Sequence, residues 1–134
     1  MATLLAHIQV FSGKEADFEN VMKEMYRITH ATEPNCLRYE YWRGEKEGFY
    51  YCLLSYKTNQ DFWEHQASDH HEGYMQDFVA CIEDLRLESL DPVANASPLM
   101  PAAEQAVSAS VSAAVKKQAL AFPIGVKGWW KAFH

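Results

Sequence analysis

The segment from Thr3 to Phe11 constrains the fold of this sequence more than any other feature. Its side chains alternate with a period of two, and one of the two faces consists of Leu4, Ala6, Ile8 and Val10. That period is typical of a β-strand with one face on a hydrophobic core. Ser12 and Glu15 then have the spacing of a helix capping box, and apolar residues recur at helical intervals until about Thr32. The chain therefore begins with a strand followed at once by a helix.

Residues 36–90 add three predicted strands and two predicted helices. Residues 36–43 and 48–56 predict an antiparallel hairpin, because a charged turn separates two runs rich in β-forming residues. Thr58 and Ser68 are predicted N-caps of two short helices, and residues 85–90 form a last predicted strand. The order β-α-β-β-α-β is that of the ferredoxin-like α+β fold, a four-stranded antiparallel sheet with helices on one face.

The second face of this predicted sheet has no layer of helices to cover it. It would expose Leu5, Phe11 and half of the strand at residues 48–56. Soluble monomers rarely expose that much contiguous apolar surface. A two-fold dimer that packs sheet on sheet removes the surface from water. We therefore expect a homodimer through the open sheet face.

Charge divides the chain into two parts. Residues 1–94 carry 8 Lys and Arg against 17 Asp and Glu, whereas residues 95–134 carry 4 against 1. Three prolines between residues 92 and 101 mark the boundary, since proline interrupts regular structure. We predict one domain over residues 1–94 and an additional C-terminal segment over residues 95–134. This C-terminal segment should contain a helix over about residues 101–122 and end in a basic, aromatic run.

The overall composition excludes several classes of partner. A formal net charge of −6 argues against nucleic-acid binding, which needs a basic surface. The sequence shows no signal peptide and no long apolar run, so we expect a cytoplasmic protein. Four lysines on an alanine-rich C-terminal segment are too few for a stable membrane association. The three cysteines lack CxxC spacing and are predicted to be free thiols.

Three segments, at residues 11–18, 33–39 and 65–70, together resemble the antibiotic biosynthesis monooxygenase (ABM) family. They read Phe-Ser-Gly-Lys-Glu-Ala-Asp-Phe, Glu-Pro-Asn-Cys-Leu-Arg-Tyr and His-Gln-Ala-Ser-Asp-His, and the resemblance spans roughly residues 3–94. It implies a dimeric α/β barrel. It also implies a choice of reactions, which includes cofactor-independent oxygenation of anthrones and quinols, haem degradation, and isomerisation of a phosphorylated sugar.

Departures from the family pattern narrow that choice. Ala6, His65 and Met75 stand where the haem-degrading branch has Asn, Trp and the His that binds iron. The resemblance therefore implies neither haem nor another cofactor for this chain. Leu54 and Tyr56 stand where the family often has Glu-x-Trp, so any role of that acidic residue is lost here.

His65, His70 and His71 form the densest titratable cluster of the sequence. Histidine takes and returns protons near neutral pH, as a base acting on a phenol or enol must. We predict His65 as that base with help from His70, and His71 as a solvated residue. The alternative is that His65 and His70 are ordinary polar residues of the fold. Adjacent side chains on a helix diverge by about 100°, so we expect no metal site from the three histidines.

The resemblance places His65 at a pocket between the helices and the sheet. The predicted pocket wall consists of Met22, Met25, Trp63, Tyr74 and Met75. Such side chains suit a flat aromatic or quinoid ligand, although the same residues could simply fill the core. We interpret the chain as a cofactor-independent monooxygenase of a small phenolic, quinol or anthrone-like compound. The alternatives are an isomerase or tautomerase of a small hydroxycarbonyl compound, and a non-catalytic dimer that binds a small ligand.

Overall fold

The computed structural model describes residues 1–134 and contains one four-stranded sheet. The elements are β1 (Ala2–Val10), α1 (Glu15–Thr32), β2 (Cys36–Arg43), β3 (Phe49–Tyr56), α2 (Asn59–Gln66), α3 (Asp69–Cys81), β4 (Ile82–Leu90) and α4 (Ala113–Ala121), followed by a 3₁₀ turn (Trp130–Phe133). The strand order is β2-β3-β1-β4, and all three pairings are antiparallel. This arrangement confirms the predicted ferredoxin-like fold.

The alternation of β1 places its apolar residues on the helical side of the sheet. Leu4 lies opposite Leu54 and Ala6 opposite Cys52 in the register with β3, and all four side chains are buried. From α1, the residues that face this layer are Phe18, Met22, Met25 and Thr29. The core therefore lies between the sheet and its helices, as the period of two predicts.

The start of α1 differs from the prediction. Ser12 makes no capping hydrogen bond, and the carboxylate of Glu15 accepts instead from the amide of Gly13 at 2.9 Å. Gly13 has φ +84°, a left-handed conformation that favours glycine. The turn at Gly13 therefore removes Ser12 from the capping position.

The caps of the next two helices are as predicted. Thr58 and Asp61 form a reciprocal capping box at α2, with N–H···O distances of 3.1 and 2.9 Å. Ser68 caps α3 through the amide of His71 at 3.3 Å. The strand β4 starts at Ile82 rather than at the predicted residue 85, because its pairing with β1 continues to Val10.

The open face of the sheet carries the other half of the β1 and β3 side chains. Thr3 and Ser55 are buried there and share a hydrogen bond of 2.8 Å. Leu5 lies opposite Leu53, and both are half-buried. Trp42 on β2 is 59% exposed. The face is thus a mixture of apolar and polar side chains.

The C-terminal segment contains a much shorter helix than predicted. Instead of about residues 101–122, α4 spans only Ala113–Ala121. The Ser112 hydroxyl caps this helix by accepting a hydrogen bond from the Val115 amide at 3.2 Å. On the N-terminal side of α4, the backbone of the segment forms hydrogen bonds with residues of the preceding domain fold. The amide of Ala103 donates to Met1 at 3.3 Å, and the carbonyl of Ala103 accepts from Asn59 at 3.0 Å. These bonds replace the ones that a longer helix would have made within itself.

The C-terminal segment lies against residues 1–94 of the same chain and is held mainly by apolar packing. The helix α4 packs on α2, and Val115 and Ala119 join the hydrophobic core. The one ion pair of a lysine here, Lys131 with Glu104 at 3.2 Å, stays within the segment. His134 is the one basic residue of the segment that contacts a carboxylate of residues 1–94, with Nε2 at 2.7 Å from Asp91, so apolar packing and not the lysines explains most of the docking. No helix of the protein is long and apolar enough to cross a membrane.

Candidate active site

Three segment ends bring a polar cluster together beside α2. Glu33 is the C-cap of α1, where Pro34 stops the helix, His65 lies near the end of α2, and His70 lies in the first turn of α3. The Glu33 carboxylate is 2.8 Å from His65 Nδ1 and 2.9 Å from His70 Nε2. This cluster lines a polar surface cleft of about 380 Å³ that also includes Asp61.

The His65 ring has two nitrogens in contrasting situations. Its side chain is 1% exposed, and Nδ1 lies 2.8 and 3.1 Å from the two oxygens of the Glu33 carboxylate. A carboxylate only accepts hydrogen bonds, so Nδ1 carries the proton of the neutral ring and Nε2 carries a lone pair. Nε2 is buried and has no hydrogen-bond partner. Such a nitrogen is ready to accept a proton from a bound molecule.

A second, apolar cavity also borders His65 and lies between the sheet and the helices. It measures about 130 Å³ and is lined mostly by hydrophobic side chains, among them Ile8, Leu54 and Phe78. His65 lines both the cavity and the cleft. His65 therefore borders both a polar cleft and a cavity that suits an apolar ligand.

The predicted wall residues fall into two groups. Met25, Tyr74 and Met75 line the cavity together with His65. The other two, Met22 and Trp63, are not part of its lining, because their side chains pack elsewhere. Met22 borders a separate groove beside Trp42 and Tyr26. Trp63 donates its indole N–H to the backbone carbonyl of Phe122 at 3.0 Å.

The environments of His70 and His71 are the reverse of those predicted: His70 lies at the surface cleft, and His71 is buried at the cavity. His70 lines the cleft and contacts Glu33, but it is not part of the cavity lining. His71 is buried, lines the cavity, and has an unpartnered Nδ1. Burial lowers the pKa of His71 to about 3, with smaller contributions from the charges of His65 and His70. The prediction of a solvated His71 is wrong, because one step along α3 turns the side chain toward the core.

Tyrosines give the His65 ring its apolar packing. The ring centroids of Tyr39 and Tyr56 lie 4.9 and 5.4 Å from that of His65. Burial raises the pKa of both phenols well above its usual value, so they stay neutral. The hydroxyl of Tyr56 is another buried group without a hydrogen-bond partner.

Metal binding and nucleophilic catalysis by cysteine are two other kinds of chemistry to consider at this site. The ligand atoms of Glu33, His65 and His70 lie within 4.8 Å of one another, so this cluster could also hold a metal ion. Cysteine chemistry is disfavoured, because burial raises the pKa of Cys36 to about 11 and that of Cys52 to about 12. Both remain neutral thiols near pH 7, and the thiolate is the nucleophilic form.

Sequence reasoning missed three residues of the site. Glu33 appears in the segment that carries the family resemblance, but only the folded chain shows that it contacts His65. The sequence predicts a solvated His71, which instead lines the cavity, and Phe122 from the C-terminal segment lines the cavity without any local signal. For Glu33, the useful signal is a carboxylate immediately before Pro34, since the end of a helix fixes its position.

The sequence profile of the family described as antibiotic biosynthesis monooxygenase matches residues 1–77. The chain belongs to the ABM family. Among solved structures, the ABM chain is similar to a candidate antibiotic biosynthesis monooxygenase of Caulobacter crescentus CB15. The two are 26% identical, with a TM-score of 0.66, and the match covers 69% of this chain and 89% of that one.

Other solved structures share the fold at lower identity. Rv0793 from Mycobacterium tuberculosis is 18% identical, with a TM-score of 0.65, over 72% of this chain and 98% of that one. A candidate antibiotic biosynthesis monooxygenase from Nitrosomonas europaea is 14% identical, with a TM-score of 0.65, over 69% and 99%. No curated protein matches the sequence. The family profile ends before β4, and the C-terminal segment lies wholly outside it.

Proposed function

We propose that this ABM protein is a cofactor-independent monooxygenase of a small phenolic or quinol compound, with His65 as the base. One observation carries the proposal: a buried histidine that lines an apolar cavity has one ring nitrogen bonded to a carboxylate and the other buried without a hydrogen-bond partner. A base oriented in this way by a carboxylate is a recurrent arrangement in enzymes.

The reaction begins with a proton transfer to His65. A phenol in the cavity gives its O–H proton to Nε2, and the imidazolium that forms is stabilised by the Glu33 carboxylate at 2.8 Å. The electron-rich phenolate then reacts with O₂ at a ring carbon to form a hydroperoxide. That carbon loses its hydrogen as the O–O bond breaks, and one oxygen stays as a carbonyl while the other leaves as water. Phenol and O₂ thus give quinone and H₂O, and the proton returns from His65.

The apolar lining of the cavity supports this chemistry because it offers water few hydrogen-bond partners. His71 is held neutral by burial, and the buried tyrosines beside His65 stay neutral as well. The phenolate is then the one anion on the cavity side of His65, so its attraction to the imidazolium is weakly screened. Oxygen is itself apolar and dissolves readily in such surroundings.

We propose further that the protein is a homodimer through the open sheet face. The half-buried pair Leu5 and Leu53 and the exposed Trp42 support this, since a second sheet would cover them. Residues 1–94 would form the dimeric domain, with residues 95–134 as an addition to each subunit. Sedimentation equilibrium of Leu53→Glu should show monomers, whereas Leu120→Glu, at a residue 85% exposed on α4, should stay dimeric. A dimeric Leu53→Glu would contradict the assigned face.

Oxygen uptake with hydroquinones and other phenols tests the proposed reaction. The wild type should consume O₂ and form quinone, and His65→Gln should abolish most of this activity. His134→Gln is the matched control, because His134 contacts Asp91 and lines neither the cavity nor the cleft. Equal rates for wild type and His65→Gln would contradict the role of His65. Turnover of a hydroxycarbonyl compound without O₂ would identify an isomerase, and binding without turnover would identify a binding protein.

A further inference from the structure

The size of the apolar cavity limits what it can hold. Its volume is about 130 Å³. An engineered protein cavity of about 150 Å³ binds one benzene ring, and sites for drug-sized ligands start at roughly 300 Å³. A molecule with three fused rings, such as an anthrone, therefore does not fit without displacing part of the wall.

One part of that wall comes from the C-terminal segment, residues 95–134. Phe122, the C-cap of α4, lines the cavity, and every other lining residue lies between Ala6 and Leu87. The chain fixes Phe122 at two points. Its carbonyl accepts the indole N–H of Trp63 at 3.0 Å, and its ring packs edge-on against Phe62 with centroids 6.3 Å apart. These two contacts fix the position of Phe122 in the cavity wall.

The position of Phe122 depends on the rest of the C-terminal segment. Val115 and Ala119 on α4 are buried against the core, and the Ser112 cap fixes where the helix begins. The amide of Phe122 donates to the carbonyl of Gln118 at 2.8 Å, which closes the last turn. The docked helix therefore determines where the Phe122 ring lies.

We propose that the C-terminal segment restricts the substrate to phenols or quinols with a single ring, and that Phe122 determines this specificity. The inference rests on the proposed function for the identity of the site and goes beyond it in naming the substrate class. Phe122 is a wall of the binding site and takes no part in proton transfer, which belongs to His65. Removing its ring opens the cavity toward the C-terminal segment and makes room for a second and a third ring.

Calorimetric titration without oxygen tests the proposal, because it measures binding and does not require turnover. Hydroquinone, naphthohydroquinone and anthrone form a series of one, two and three rings. The wild type should bind hydroquinone at least about tenfold more tightly than anthrone, since the extra rings overpack the cavity and have to displace part of its wall. Phe122→Ala should raise the affinity for anthrone about tenfold and weaken that for hydroquinone. Phe122→Leu should give intermediate values and covers the case in which the alanine variant unfolds.

Leu120→Ala is the matched control, because Leu120 lies on the same helix, is 85% exposed and does not line the cavity. It should keep the preference of the wild type. The proposal is overturned if the wild type binds anthrone as tightly as hydroquinone, if none of the three ligands binds, or if the Phe122 variants keep the wild-type preference. Ring-size selectivity without any O₂ uptake would instead refute the proposed reaction alone.

Discussion

The apolar cavity and the polar cleft share one side chain and otherwise have little in common. The cavity is lined mainly by hydrophobic residues, and two of its lining histidines each have one buried ring nitrogen without a partner, Nε2 of His65 and Nδ1 of His71. In the cleft, Glu33 bonds to both His65 and His70. The difference shows how one histidine becomes a base: the cleft fixes the proton on Nδ1, while the cavity leaves Nε2 free for a ligand.

Replacing the shared residue tests this comparison most severely. His65→Gln keeps a polar side chain but cannot accept a proton, so kcat/KM for a phenol should fall by about 10²–10⁴-fold. Affinity for the same phenol should change much less, because the walls of the cavity are intact. Oxygen uptake and anaerobic titration measure the two quantities. A parallel loss of affinity and rate would mean that His65 only binds the ligand.

Removing residues 95–134 should alter the cavity and leave the cleft in place. The deletion exposes the surface of α2 under Val115 and Ala119 and removes the Phe122 wall. We expect the free energy of unfolding to fall by about 3–6 kcal/mol, because the segment buries two large apolar side chains, Val115 and Trp130, besides two alanines. Affinity for a single-ring phenol should also fall. An unchanged melting temperature together with unchanged affinity would contradict the assigned role of the segment.

A change confined to the cleft gives the complementary test. Glu33→Gln keeps an oxygen that can accept from Nδ1 of His65, but it removes the charge that stabilises the imidazolium. Hydrogen bonds to charged groups contribute about 1.5–3 kcal/mol, so kcat should fall roughly 10- to 100-fold. Preference for ring number should not change, since Glu33 does not line the cavity. Unaltered kcat would show that the contact between Glu33 and His65 has no part in catalysis.

The buried His71 predicts a dependence of stability on pH. Its pKa is lowered to about 3 in the folded protein, by burial first and then by the charges of His65 and His70. As the pH falls below the ordinary value of about 6.5, the unfolded chain gains a proton that the folded chain does not. This group therefore lowers the free energy of unfolding by up to about 1.4 kcal/mol per pH unit until about pH 3. In urea unfolding measured at several pH values, the free energy of unfolding of His71→Gln should fall less per pH unit than that of the wild type. An identical dependence on pH would refute a buried, neutral His71.

The fold was largely predictable from the sequence because local patterns decide it. The alternation around Leu4 and the caps at Thr58 and Ser68 each act within a few residues. The capping box at Ser12 failed because Gly13 provides an alternative turn that the spacing does not reveal. The helix α4 is shorter than predicted because bonds to distant backbone groups compete with helix formation, and no periodicity encodes them.

The site was predictable only in part, for a related reason. His65 stands out by its residue type and family position, but its partner Glu33 is 32 residues away and meets it only in the folded chain. Which of His70 and His71 faces the cavity depends on the rotation of α3 about its axis, because neighbouring side chains on a helix point about 100° apart. Phe122 reaches the cavity through the docking of α4, a tertiary contact without a local pattern.

The central claim concerns one proton, and ¹⁵N NMR of histidine-labelled protein observes it directly. In the ligand-free protein, His65, assigned by its absence in His65→Gln, should carry its proton on Nδ1 and an unprotonated Nε2. Addition of a single-ring phenol without O₂ should shift the Nε2 resonance as it accepts the phenolic hydrogen bond, and Glu33→Gln should weaken the preference for this tautomer. A proton on Nε2 in the ligand-free protein, or an Nε2 that does not respond to the phenol, would contradict the account.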